Sequence, residues 1–212
     1  MSAAEQDASA RQAWRKQAAA IEPTRWVWVD EFGSTTGLTR RFARAPRGKR
    51  AHASAPRNYG SNRTTITSLT LAGLGPGLVL EGAMTTRGFE TYVAHVLAPT
   101  LRPGQIVALD NLQQHHSDYV REVIEARGAW LWFLPSYSPD LNPIEEAFSK
   151  VKTLLRSAEA RTHETLVAAI RAALAAVTPA DARGYFTHGG YLQPKRRRVR
   201  SRPVGPRSRR AA

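Results

Sequence analysis

With 212 residues, 42% of them hydrophobic, and a formal charge of +14, the chain can bury the core of one domain and is basic enough to seek polyanions. The absence of cysteine excludes a disulfide framework and thiolate metal sites. No stretch approaches the ~18 uninterrupted apolar residues of a membrane-spanning helix, and the N-terminus has no signal-peptide pattern, so a cytoplasmic protein without a membrane partner is expected.

Taken in chain order, residues 8–20 read as an Ala-rich helix containing Trp14 and stopped before Pro23. "RWVWVDE" (25–31) is a short apolar run ending in two acids, which suits a central strand buried on both faces. From Arg40 to Arg63 eight Lys or Arg and no acid occur among 24 residues, including Arg40, Arg41, Arg44, Arg47, Lys49 and Arg50. A phosphate-facing surface and a solvated hairpin explain that segment equally well. "TTITSLTLAG" (64–73) and "GLVLEGAM" (77–84), separated by a glycine-rich turn, predict an antiparallel pair.

A helix with Phe89, Val93, Val96 and Leu97 on one face follows, limited by Pro99. "QIVALDN" (105–111) is a second apolar strand running into an acid, and 116–128 is helical with Tyr119, Val120, Val123 and Ile124 together and Gly128 as its stop. "AWLWFLP" (129–135) is a further strand. Asn142 then stands where an N-cap belongs, Pro143 at the first helical position and Glu145 where it closes a capping box. Along this helix Ile144, Phe148, Val151 and Leu155 form the apolar stripe, with Glu145 at its edge and Glu146 on the opposite face, able to pair with Lys150. Helices over 163–177 and near 180 complete the pattern. Strands first, then strands alternating with helices, predict an α/β mixed sheet flanked by helices.

Three acids stand apart. Asp30 and Asp110 close strands, and Glu145 opens a helix that follows a third strand, so all three are candidates for the crevice at the strand ends. Each alone is commonly a turn or cap residue. Gathered together, carboxylates offer the oxygen ligands that Mg²⁺ prefers, and a pair of such ions supports in-line phosphoryl displacement.

The segments "VDE" (29–31), "LDNLQQHH" (109–116) and "SPDLNPIEE" (138–146), with 34 residues between Asp110 and Glu145, resemble the catalytic domain of DDE transposases of the mariner superfamily, in its bacterial insertion-sequence branch. The resemblance runs from about Trp26 to Tyr191. It implies a ribonuclease H-like fold, with Asp30, Asp110 and Glu145 as catalytic residues that bind two Mg²⁺ ions, Mn²⁺ being the substitute. It also implies cleavage of DNA at transposon ends and strand transfer into target DNA at a TA dinucleotide, by a homodimer on DNA. Asn111, His115 and Asn142 match supporting positions, while Glu31 fits a structural acid on the other strand face. Tyr137, Asn142 and Pro143 match the stiff approach to Glu145. Against this pattern the expected organisation is a linker helix (1–24), a catalytic domain (25–192) and a disordered basic tail (193–212). Family members carry a helix-turn-helix region that finds no room before Trp26, so a separately encoded helix-turn-helix partner is expected. Otherwise the chain is an inactive remnant that only binds DNA.

Overall fold

In the computed structural model, residues 6–193 are described except 53, 59, 113 and 114. The basic tail therefore lies outside the described residues. Helix α1 (Ala8–Ala18) begins at Asp7, whose carboxylate accepts hydrogen bonds from the amides of Ser9 and Ala10. Among the described residues six strands form one mixed sheet: β1 (Trp26–Ser34), β2 (Arg63–Thr70), β3 (Gly73–Leu74), β4 (Leu78–Glu81), β5 (Ile106–Leu109) and β6 (Trp130–Phe133). The order is β3-β2-β1-β5-β6, with β4 also paired to β2. β1 is antiparallel to β2 and parallel to β5, and β5 is parallel to β6.

The continuous apolar run of β1 explains its central place. Trp26, Trp28 and Phe32 project to one face and Val27 and Val29 to the other, each face feeding a separate buried cluster. Helices α2 (Thr86–Tyr92) and α3 (Asp118–Glu125) cover the valine face. After Tyr92 the chain widens into a π-helical turn, Val93–Leu97, before Pro99 ends it. Val120 and Ile124 are buried as their spacing requires, but Tyr119 is 49% exposed. The buried face is therefore narrower than the expected four residues, with Val123 only half-buried and Tyr119 at its exposed edge.

The tryptophan face is covered by α4 (Pro143–Ala158), α5 (His163–Ala175) and α6 (Pro179–His188). The stripe Ile144, Phe148, Val151 and Leu155 is buried, and Phe148 tilts against Phe32 with ring centroids 4.8 Å apart. The salt-bridge partners differ from expectation. Glu146 pairs with His188, and Lys150 reaches Asp181 at 2.6 Å, because α6 packs along α4 and offers partners closer than the next turn of the same helix. Asp181 also accepts from the amide and hydroxyl of Thr178 in a capping box.

The Lys150 ammonium, then the Thr178 hydroxyl and amide, hold the Asp181 carboxyl well below the usual carboxylate range. A depressed acid contributes stability above its unfolded value and loses it as pH falls through the folded one. Asp181→Asn should therefore flatten the acid limb of the stability curve below about pH 4, read by denaturant unfolding at stepped pH, and leave the slope at neutral pH unchanged. Among the described residues no single helix is long and apolar enough to cross a membrane.

Candidate active site

The parallel pairing of β1 with β5 brings both strands to the same end of the sheet. Asp30 lies within β1, its side chain on the tryptophan face, and is only 7% exposed. Asp110 follows directly after β5, and Glu145 occupies the first turn of α4, which crosses that end. All three line one open cleft of about 330 Å³, together with Asn111 and the loop Pro135–Pro139.

Asp30 is held on both oxygens. The amide of Glu31 donates to Oδ1 at 2.7 Å, and Nδ2 of Asn142 donates to Oδ2 at 2.8 Å. Burial and then the charge of Glu145 push the Asp30 carboxyl up to about 8, with Asp110 adding to the effect. The expected cap at Asn142 is absent. This residue starts the helix by backbone position, but its buried side chain turns inward to Asp30 instead of bonding the first helical amides. A carboxylate in a poorly hydrated cleft competes better for that amide than a helix end that water can reach.

His115 is fully buried. Phe89 lies against its ring, with centroids 4.2 Å apart. Nδ1 stands 2.5 Å from Oδ1 of Asp110 and Nε2 3.4 Å from Oε2 of Glu31. Burial alone lowers the imidazole's affinity for a proton, but the hydrogen bond to Asp110 and the nearby Glu31 carboxylate outweigh it and push the pKa up to about 9. The ring thus lies between the acid after β5 and Glu31 on the far face of β1.

Asn111 donates to the hydroxyl of Ser136 at 3.1 Å and meets Nε2 of His116 at 2.7 Å. His116 stacks on Phe133, 4.2 Å between centroids. Ser136 carries no periodic or motif signal in the sequence, and His116, although the last residue of "LDNLQQHH", has no feature there that marks its stacking role. Tyr137 is 60% exposed in the cleft wall and adopts a left-handed backbone, φ 54°, which a residue with a Cβ holds only at a cost of about 1–3 kcal/mol. The structure places Arg40, Arg41, Arg44, Arg47, Lys49 and Arg50 on an exposed, irregular segment between β1 and β2. Arg161 anchors its root by donating to the carbonyls of Thr36 and Leu38.

The donor set consists of carboxylate oxygens, the chemistry of a hard cation rather than of Zn²⁺ or copper. Among the described residues no three His, Asp or Glu side chains stand close enough together to chelate an ion as they are oriented. Asp110 is engaged by His115 and Asp30 by Asn142, whereas the Glu145 carboxylate has no hydrogen-bond partner among the described residues. The donors share a cleft, and their mutual repulsion shows in the raised pKa of Asp30. Positive charge at that point relieves it, so the residues fit a divalent ion in kind.

Comparison with known proteins gives the same outline. The transposase of the transposable element Tcb1 from Caenorhabditis briggsae is 27% identical over 180 residues, covering 77% of this chain and 65% of that protein. The chain thus spans less than two thirds of that relative's length. The Mos1 transposase paired-end complex with left transposon end matches with a TM-score of 0.69 at 18% identity, over 86% of this chain and 57% of that one. The catalytic domain of Mos1 mariner transposase matches with a TM-score of 0.60 at 14% identity, over 86% of both chains. The shared fold is ribonuclease H-like, as expected from the sequence. The family described as DDE superfamily endonuclease matches residues 25–167, two thirds of the sequence, and the chain belongs to that family.

Proposed function

We propose that this chain is the catalytic part of a transposase, cutting DNA at transposon ends and joining the freed 3′-hydroxyl to target DNA, with Asp30, Asp110 and Glu145 as the residues that hold Mg²⁺ or Mn²⁺. The convergence of these three carboxylates from β1, the end of β5 and the start of α4 on one cleft carries this reading. Two of the similar solved structures are Mos1 paired-end complexes with Mg and with Mn, which supports divalent ions as the cofactor. When bound, such ions activate the attacking oxygen and stabilise the leaving one in displacement at phosphorus.

The chain's own residues supply position and charge. Asn142 and the Glu31 amide fix the orientation of Asp30, and His115 fixes that of Asp110. Asn111 and Ser136 couple the turn after β5 to the loop before α4. An acidic cleft by itself repels a phosphodiester, so DNA is drawn instead by the arginine- and lysine-rich segment between β1 and β2, and release of its counterions makes binding fall with salt. We propose residues 25–192 as the catalytic domain and 1–24 as a linker, whose described helix α1 packs on that domain. DNA is the partner, in a homodimer that joins two ends, and the element is of insertion-sequence type.

The test uses the full chain, a nicked or branched duplex carrying the element's ends, and Mg²⁺ or Mn²⁺. Metal-dependent cleavage should fall in Asp110→Ala and in Glu145→Ala by more than the roughly 10–100-fold typical of losing an outer partner of a metal ligand. DNA binding with no cleavage by the wild type would instead establish the remnant reading.

A further inference from the structure

The loop that leads into α4 is gripped by residues from both ends of the described chain. From α1, Arg11 forms a two-pronged pair with Asp140, Nη1 to Oδ1 at 2.9 Å and Nη2 to Oδ2 at 2.6 Å. Arg15 approaches the same carboxylate at 3.5 Å. Just ahead of α1, the side-chain amide of Gln6 donates to the carbonyl of Tyr137 at 2.6 Å. From the other end, the hydroxyl of Tyr191 donates to the carbonyl of Leu141 at 2.6 Å and accepts from the indole of Trp14 at 3.0 Å. Three consecutive parts of one loop, at residues 137, 140 and 141, are therefore each held by a separate anchor.

An exposed ion pair ordinarily contributes little. This one differs in that the Arg11 side chain is only 11% exposed and its planar fork matches the carboxylate on both prongs. The Arg11 guanidinium keeps the Asp140 carboxyl below its usual value. Holding Tyr137 in a left-handed conformation also requires that its surroundings leave no alternative. Immediately after these anchors come Asn142, bonded to Asp30, and Glu145 in the cleft. A loop this short passes any displacement at Asp140 directly to both.

We propose that α1 and Tyr191 act as a brace that positions Asn142 and Glu145, with Arg11 and Tyr191 as positioning residues for the site. The part of this that concerns metal rests on the function proposed above. Fixing the loop beforehand lowers the ordering cost of closing carboxylates around a cation.

The experiment compares full-length wild type, Arg11→Ala, the charge-exchanged double variant Arg11→Asp with Asp140→Arg, and Tyr191→Phe, which keeps the ring and removes the hydroxyl. Hydrogen exchange of peptides covering residues 135–142 should quicken roughly tenfold in Arg11→Ala and in Tyr191→Phe, with β1 and β5 unchanged, and slow again in the double variant. In parallel, Mn²⁺ titration followed by electron paramagnetic resonance should show half-saturation rising about three- to tenfold in the two single variants and recovering in the double one. Unchanged loop exchange in both single variants overturns the brace. Quickened exchange with unaltered Mn²⁺ affinity overturns its role at the site. If Asp30→Ala and Glu145→Ala leave wild-type Mn²⁺ binding intact, the metal reading falls while the exchange data still decide whether the brace exists.

Discussion

Asp30→Asn is expected to stabilise the metal-free protein by about 1–3 kcal/mol while ending metal-dependent cleavage of DNA. The carboxyl is 7% exposed, and burial together with Glu145 raises its pKa to about 8, so folding at neutral pH must either protonate it or bury its charge. An amide carries no such cost. Its oxygen keeps the bond from the Glu31 amide, and its nitrogen can donate to Oδ1 of Asn142, an atom with no hydrogen-bond partner among the described residues, once the Asn142 amide turns over. Urea unfolding in EDTA should place the variant's midpoint above that of the wild type. Saturating Mn²⁺ should reverse the order, because an ion stabilises only the form that binds it. A variant less stable than wild type in EDTA would mean that the carboxylate is a structural asset rather than a strain kept for chemistry.

The second large effect concerns the helix that carries Glu145. Phe148→Ala should cost about 3–5 kcal/mol, since the ring is 1% exposed and truncation leaves a cavity against Phe32. Phe148→Leu, which refills most of that space, should cost about 1 kcal/mol. Phe148 lies one turn from Glu145, so the same contact that anchors α4 on β1 also sets where the carboxylate can reach. Denaturant titration of both variants checks the gradation. Equal losses would show that the site collapses around any replacement.

Much of the fold was legible because burial leaves its mark on short runs. The apolar stretch of β1 suited a strand covered on both sides, and the 3.6-residue stripe from Ile144 to Leu155 named the buried face of α4. The cleft was legible for a related reason, since acids at strand ends and at the start of the next helix converge wherever parallel strands share an end. What escaped was partner choice. Lys150 takes Asp181 rather than Glu146, and Asn142 takes Asp30 rather than its own helix, because tertiary packing supplies partners that local spacing cannot show. Adjacent histidines 115 and 116 look alike in sequence, yet one is buried between two acids and the other stacks on Phe133. Arg11 and Asp140 are 129 positions apart, and no periodicity links them.

Four of the five tryptophans, Trp14, Trp26, Trp28 and Trp132, meet Tyr191 in a single ring cluster, whereas Trp130 is 60% exposed. Only Trp14 among those four arrives on α1. Departure of that helix would wet one indole and uncouple it from its neighbours, so the native emission spectrum should shift to the red without any added label. The aromatic cluster thus doubles as an optical gauge of whether the helix is docked, usable in real time while DNA or metal is added.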